Sequence, residues 1–245
     1  MVKEFRCDLH IHTCLSPCGD LEMYPTAIVA KALEAGLDII GICDHNASEN
    51  APYVVRAARG KPITVLPGIE ISSREEVHLI GIFDNWNDLA PLQEMVYRSL
   101  RGTNREEKFG CQVVVNEMDE VEGFNDRLLI GSTDIPLDRI VEAIHRQGGL
   151  AIASHIDRES FGVIGQLGFV PPGLPFDALE LSYRLTPARA REIFPGLSGR
   201  TLIQGSDAHF LRDIGRASTV VTMEEPTVEE FRKAFLGLDG RSTGK

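Results

Sequence analysis

The sequence predicts an α/β barrel. Three observations carry this expectation. Short apolar runs that read as strands alternate with segments at helical spacing, ionisable residues collect where those runs end, and no linker-like stretch divides the 245 residues. The expected organisation is one barrel domain over 1–245, with an insertion at about 85–134.

The elements follow in order. The first strand ends at Asp8-Leu9-His10-Ile11-His12, where a period of two puts both imidazoles on one face. Tyr24-Pro25-Thr26 opens a helix through Ile28, Val29, Ala32 and Leu33, and Gly36 stops it. Leu37 to Cys43 is a continuous apolar run, the pattern of a parallel strand buried on both faces, and ends at Asp44-His45-Asn46. After a helix around Tyr53–Ala57, a strand from Ile63 runs to Glu70, and the strand Val77–Phe83 opens on His78. Between Asn85 and Asp134 the rhythm loosens, with a helix around Leu92, Met95, Val96 and Leu100 and apolar runs at 112–116 and 127–131. Pro136 restores the pattern, followed by a helix ending at Gly148-Gly149 and a strand from Leu150 to His155. A Gly- and Pro-rich loop is expected from Phe161 to Pro175, then a short strand Ala178–Leu181 and a helix Pro187–Phe194. The strand Thr201–Gly205 leads to Ser206-Asp207-Ala208-His209, a last amphipathic helix spans Val228 to Leu236, and the tail from Gly240 is expected to fray.

Composition bounds the function. With 43% hydrophobic and 25% charged residues the chain can bury a substantial core. A net charge of -11 argues against a surface that tracks a long nucleic-acid duplex, although divalent ions would reverse the sign locally. No apolar run reaches membrane-spanning length, so no membrane partner is expected. Five cysteines with no leader-like start point to a soluble protein of the reducing cytoplasm. Cys14 and Cys18 lack a second pair at zinc-knuckle spacing and read as free thiols.

The polar residues at the strand ends are His10, His12, Asp20, His45, Glu70, His78, His155, Asp207 and His209, which takes in six of the seven histidines. Solvation would scatter histidines over helices and loops, so shared coordination explains this distribution better. Mixed imidazole and carboxylate donors suit zinc, manganese or iron, and nine ligands exceed what one ion can take, so two or three divalent ions are expected. Ions so held would lower the pKa of a bound water and clamp the attacking and leaving oxygens of an in-line displacement. Glu70, with two oxygens, is placed to bridge; Glu70, Asp207 and His209 are the expected catalytic residues. His145, in the last turn of a helix, suits the helix dipole and reads as structural.

The motifs Asp8-Leu9-His10-Ile11-His12-Thr13, Cys43-Asp44-His45-Asn46, Pro67-Gly68-Ile69-Glu70-Ile71-Ser72, His78-Leu79-Ile80-Gly81, Ser154-His155 and Gly205-Ser206-Asp207-Ala208-His209 resemble, in order, those of the PHP (polymerase and histidinol phosphatase) family. The resemblance implies a distorted (β/α)7 TIM-like barrel with a trinuclear site. It assigns His10, His12, Glu70 and Asp207 to a first metal position, Glu70, His78 and His155 to a second, and Asp20, His45 and His209 to a third. It further implies a phosphoesterase that uses metal-bound hydroxide on a nucleoside 3',5'-bisphosphate or a short oligonucleotide. Arg158, Arg184 and Arg216, near the motif loops, are candidates to hold a substrate phosphate through the guanidinium fork. The rivals within the family are a histidinol-phosphate phosphatase and a non-catalytic module that stabilises a polymerase. An amidohydrolase-type barrel would also begin with His-x-His, but its middle-strand lysine is missing here. Gly162–Gly168 lacks dinucleotide-binding spacing, the terminal Gly244-Lys245 does not complete a phosphate loop, and there is no Gly-x-Ser-x-Gly elbow.

Overall fold

In the computed structural model, which describes residues 1–244, the alternation of apolar runs and helices closes into a nearly complete barrel. The strands β1 (Lys3–Ile11), β2 (Ile39–Ile42) and β3 (Thr64–Ser72) are parallel neighbours. Helices α1 (Pro25–Glu34) and α2 (Ala51–Ala57) connect them. Every residue of β2 is buried, as its unbroken apolar run requires.

The barrel is distorted at β4 (His78–Ile82), which follows β3 by a hairpin and runs antiparallel to it. Reversal puts the first residue of β4, His78, beside Ser72 at the end where the parallel strands finish. A histidine that opens a strand therefore stands among histidines that end strands.

The stretch that reads as an insertion opens with α3 (Trp86–Ser99), whose Leu89, Leu92 and Val96 pack with Ile69, Ile71 and Leu79 in the largest core cluster. The Asn85 side chain caps this helix by accepting from Asp88 N–H at 3.2 Å. Beyond it lie a single turn, α4 (Glu106–Phe109), and a separate two-stranded sheet of β5 (Val113–Val115) and β6 (Val121–Phe124). The run 127–131 is not a strand: the carbonyls of Arg127, Leu129 and Gly131 are taken by the Gln112 and Asn46 side chains, and a single antiparallel bridge from Arg127 to Thr103 is all the pairing it makes.

The pattern resumes with α5 (Leu137–Arg146), β7 (Leu150–Ala153), α6 (Val163–Leu167), β8 (Ala178–Leu181), α7 (Pro187–Ile193) and β9 (Leu202–Gln204). The loop expected over 161–175 contains α6, where Gly168 adopts φ +81° and ends the helix. Strand β4 pairs antiparallel with β7, while β7, β8 and β9 are parallel. A parallel bridge between Ile11 and Ala208, with His12 N–H donating to Ala208 O at 3.0 Å, ties the chain after β9 back to β1.

Two further strands, absent from the sequence expectation, extend the sheet outside the ring. These are β10 (Thr219–Met223), antiparallel to β1, and β11 (Ser242–Thr243), antiparallel to β10, joined through α8 (Val228–Leu236). The tail thus pairs through Thr243 instead of fraying. Phe231 and Phe235 of α8 pack with Phe5, Ile82, Leu150 and Ile152, and Arg232 donates to the carbonyls of Gly148 and Gly149 at the start of β7. Helix α8 therefore covers the barrel end opposite the histidines. No helix among the described residues is long and apolar enough to cross a membrane.

Candidate metal centre

The site lies at the end of the barrel where β1, β2, β3, β7 and β9 finish and β4 begins. Three of the residues leading out of strands there, Asn46 (φ 52°), His155 (φ 27°) and Asp207 (φ 48°), adopt left-handed backbone. Such conformations cost of order 1–3 kcal/mol and persist where surrounding bonds over-determine them. Asn46 shows how: its amide donates to the carbonyls of Leu129 and Gly131 and its oxygen accepts from Ser72 N–H.

Hydrogen bonds fix the orientation of two rings. His10 Nδ1 donates to Glu180 at 2.9 Å. His12 Nδ1 donates to Ser16 Oγ at 2.9 Å, and the Ser16 hydroxyl is itself committed to Asp44 at 2.7 Å. Both rings then present a bare Nε2, and these two nitrogens lie 3.1 Å apart. Asp207 Oδ1 is 3.0 Å from His12 Nε2 and 3.4 Å from His10 Nε2. Lone pairs converging at this range repel unless a cation sits between them.

Glu70 lies at the centre, fully buried. Five imidazole nitrogens surround its carboxylate: His45 at 2.9 Å, His78 at 3.1 Å, His155 at 3.3 Å, His10 at 3.4 Å and His12 at 3.5 Å. Neither Glu70 oxygen has a hydrogen bond, and the facing Nδ1 of His78 has none either. Polar atoms this buried are normally satisfied, so the arrangement fits donors awaiting metal ions. Ligand atoms come within 4.8 Å of one another in three groups: His10, His12 and Glu70; His45, Glu70 and His78; and His12, His45 and His209.

The charges agree with that reading. Burial would push the Glu70 carboxyl up, yet His78, His10 and His45 hold it well below the usual range. Asp207 is likewise held down, against burial, by His10 and His12. Burial pulls His10 down, but Glu180, Glu70 and Asp207 outweigh it and raise the ring well above its ordinary value. His12 is driven well down by burial and by His209 and His45, and His78 falls to about 4, chiefly through burial. The pocket thus favours positive charge at its centre while keeping several nitrogens free to ligate.

Of the nine residues singled out by sequence, eight converge here. Asp20 does not join a cluster: its carboxylate accepts from Glu22 N–H at 2.9 Å and lines a separate cavity with Lys31 and Arg212. Sequence reading missed three residues. Glu180 and the Ser16–Asp44 pair orient rings. A lone carboxylate within the apolar run Ala178-Leu179-Glu180-Leu181 was the available signal for the first. His145 lies apart, bound to Asp177 at 2.8 Å.

Arg158, Arg184 and Arg216 line one cavity of about 600 Å³ together with Tyr183 and Phe161. Arg158 connects this cavity to the cluster through Asp207 Oδ2 at 2.6 Å. Arg216 stacks over Tyr183 at 3.9 Å and donates to Ser206 O at 2.8 Å.

The PHP domain profile matches residues 8–163. The chain belongs to the PHP domain family. A second profile, described as PHP-associated, matches residues 199–237 and so takes in β9, β10 and α8. The chain is 31% identical over 85 residues to a 5'-3' exoribonuclease of Haemophilus influenzae, which covers 34% of this PHP chain and 29% of that protein. Among solved structures, the lesion-specific endonuclease PfuEndoQ from Pyrococcus furiosus superposes with a TM-score of 0.77 at 17% identity, over 98% of this chain and 58% of that one. An endonuclease Q complex with a 27-mer duplex, an abasic lesion at its active site, gives 0.69 at 17% identity over the same shares. At these identities the likeness to the nucleases is one of fold, and the PHP chain spans less than two thirds of each relative.

Proposed function

We propose that this protein is a metal-dependent hydrolase of phosphoester bonds, with two or three divalent ions on the histidine–carboxylate cluster. The observation that carries this is Glu70: a buried carboxylate, free of hydrogen bonds, within 3.5 Å of five imidazole nitrogens. Bound zinc, manganese or iron would supply an activated water at neutral pH and offset charge on the attacking and leaving oxygens.

The chain's own residues supply orientation and substrate binding. Glu180 and the Ser16–Asp44 pair set the ring faces of His10 and His12. Glu70, with both oxygens free, would hold more than one ion, and Asp207 and His209 would hold an ion on the side of the cluster reached by Arg158. The arginine cavity seats a phosphate that does not react, with Arg184, whose guanidinium bonds only to the Tyr183 hydroxyl, as the donor least committed elsewhere and Arg158 shared with Asp207. A second phosphate subsite beside the metal cluster favours a nucleoside 3',5'-bisphosphate or a short oligonucleotide end over a substrate with one phosphate, such as histidinol phosphate. Five free cysteines fit a reducing, cytoplasmic setting.

The test is metal analysis of the purified protein, with phosphate release measured on a nucleoside 3',5'-bisphosphate, a short oligonucleotide, an abasic duplex and histidinol phosphate. Bisphosphate or oligonucleotide turnover with at least two ions bound is expected. Fewer than two ions and no turnover of any ester would overturn the reading in favour of a non-catalytic module.

A further inference from the structure

The loop after β7 carries an aromatic ring that takes no part in the metal centre. Phe161 adopts φ +63°, a left-handed conformation in which a bulky residue is an outlier and which recurs at ligand clamps. The loop imposes it: Arg158 N–H donates to His155 O and Phe161 O accepts from His78 N–H, both at 2.9 Å. At Gly162 a Cβ would lie 2.4 Å from the Arg158 carbonyl oxygen, so this close fold requires glycine. The Phe161 ring then lies nearly parallel to the His78 imidazole, with centroids 4.4 Å apart and 18° between the planes. One face is covered in this way, yet Phe161 remains 38% exposed and lines the arginine cavity.

The other aromatic ring of the cavity is already committed. The Tyr183 hydroxyl accepts from Arg184 Nε at 3.1 Å, and the Arg216 guanidinium stacks on the Tyr183 ring at 3.9 Å, so Tyr183 holds two arginines in place. Among the described residues, Phe161 stacks on His78 alone. A phosphate gains nothing from an apolar ring, and about 600 Å³ is the size of a site for a whole small molecule. Donors for an anion next to a flat ring with one face open are the complement of a planar base joined to phosphates.

Resting on the phosphoesterase reading of the site, we infer that Phe161 is the stacking platform for the substrate's nucleobase, so that the site selects nucleotides over phosphate esters with no flat ring. His78 backs the platform and fixes it beside the metal cluster, while the arginines across the cavity take the non-reacting phosphate. Stacking tolerates any base, because every base has a π face. The selection is therefore for the presence of a base, not for its identity.

The test uses the metal-loaded protein and a probe that is not cleaved: 2-aminopurine riboside with methylenephosphonates at its 3' and 5' positions, whose fluorescence falls when the base stacks. The wild type should quench it. Phe161→Leu, which keeps an apolar cover over His78, should lose the quenching and bind about tenfold or more weaker, and Phe161→Tyr should keep both. The penalty should be confined to the base: a ribose analogue with the same phosphonates should bind wild type and Phe161→Leu alike, with equal ion counts by mass spectrometry. The assignment is overturned by a wild type that does not bind or quench the probe, or by a Phe161→Leu that still quenches it. It is also overturned if Phe161→Leu weakens both ligands equally; lost ions would then make Phe161 only a support for His78. Quenching by a protein that hydrolyses no phosphoester keeps the platform and removes the phosphoesterase reading, and turnover with equal affinity for probe and base-free analogue does the reverse. Should Phe161→Leu fail to fold, the wild type decides alone: about tenfold tighter binding of the probe than of the base-free analogue is expected, and equal affinity overturns the assignment.

Discussion

At the residue scale, the decisive feature is that hydrogen bonds outside the cluster choose which nitrogen each ring turns inward. Glu180 has this role for His10 and also accepts from His155 N–H at 3.0 Å, so one carboxylate positions two ligand-bearing residues. Gly205 leaves room for it, because a Cβ there would strike Glu180 Oε1 and crowd His10 Cβ. Replacing Glu180 by Gln keeps the shape but removes the charge. We expect metal affinity to fall about 10–100-fold, the usual effect of losing a carboxylate that orients a ligating histidine, with little change in far-ultraviolet circular dichroism. Titration with a chelating competitor measures this directly, and unchanged affinity would show that Glu180 only supports the backbone.

At the element scale, α8 covers the barrel end opposite the histidines, and β11 follows it as the outermost strand of the sheet. Glu230 of α8 holds them together. Its carboxylate accepts two bonds from Arg241, at 2.9 and 3.1 Å, and a third from Glu224 N–H at 2.9 Å. The Arg241 guanidinium, the Glu224 N–H and the Lys233 ammonium draw its pKa down to about 2. A carboxyl held lower in the folded state than in the unfolded chain, where it titrates at about 4.3, stabilises the fold above that unfolded value. The stabilisation is lost as pH falls through the folded one. Glu230→Gln should therefore lower Tm at pH 7, and the gap from wild type should close progressively between about pH 4.5 and pH 2. Thermal melts across that range check it, with a pH-independent gap as the contrary result.

At the scale of the whole molecule, the chain carries a net charge of -11 yet gathers its arginines Arg158, Arg184 and Arg216 around one cavity beside the metal cluster. On the proposed function, this local charge would seat a substrate phosphate despite the acidic surface. Arg184→Ala should raise KM about tenfold for a bisphosphate with kcat little changed, since a contact made equally in ground and transition states affects binding alone; steady-state kinetics separates the two. Metal loading should also be visible in global stability. Ions at a hundredfold excess over their Kd stabilise a folded chain by about 2.7 kcal/mol per site. Chelation is thus expected to lower Tm and abolish phosphate release, and zinc or manganese should restore both. A Tm indifferent to chelator would place the ions outside the fold.

The sequence by itself determined the barrel, the end of it where ionisable residues gather and eight of the residues that meet there. Each strand's apolar run stops at an ionisable residue, and those runs are local patterns. His10 and His12 share a face by the period of a strand alone, and Asp207 and His209 repeat the spacing. What only the tertiary structure decided depends on contacts distant in sequence. The antiparallel course of β4 explains why His78 belongs to the site. Glu180, 170 residues from His10, turns its ring. The place of Asp20 was beyond sequence for the same reason: its N–H is anchored on the His209 carbonyl, nearly two hundred residues away in the chain, while its carboxylate turns to Glu22 N–H and stays outside the clusters.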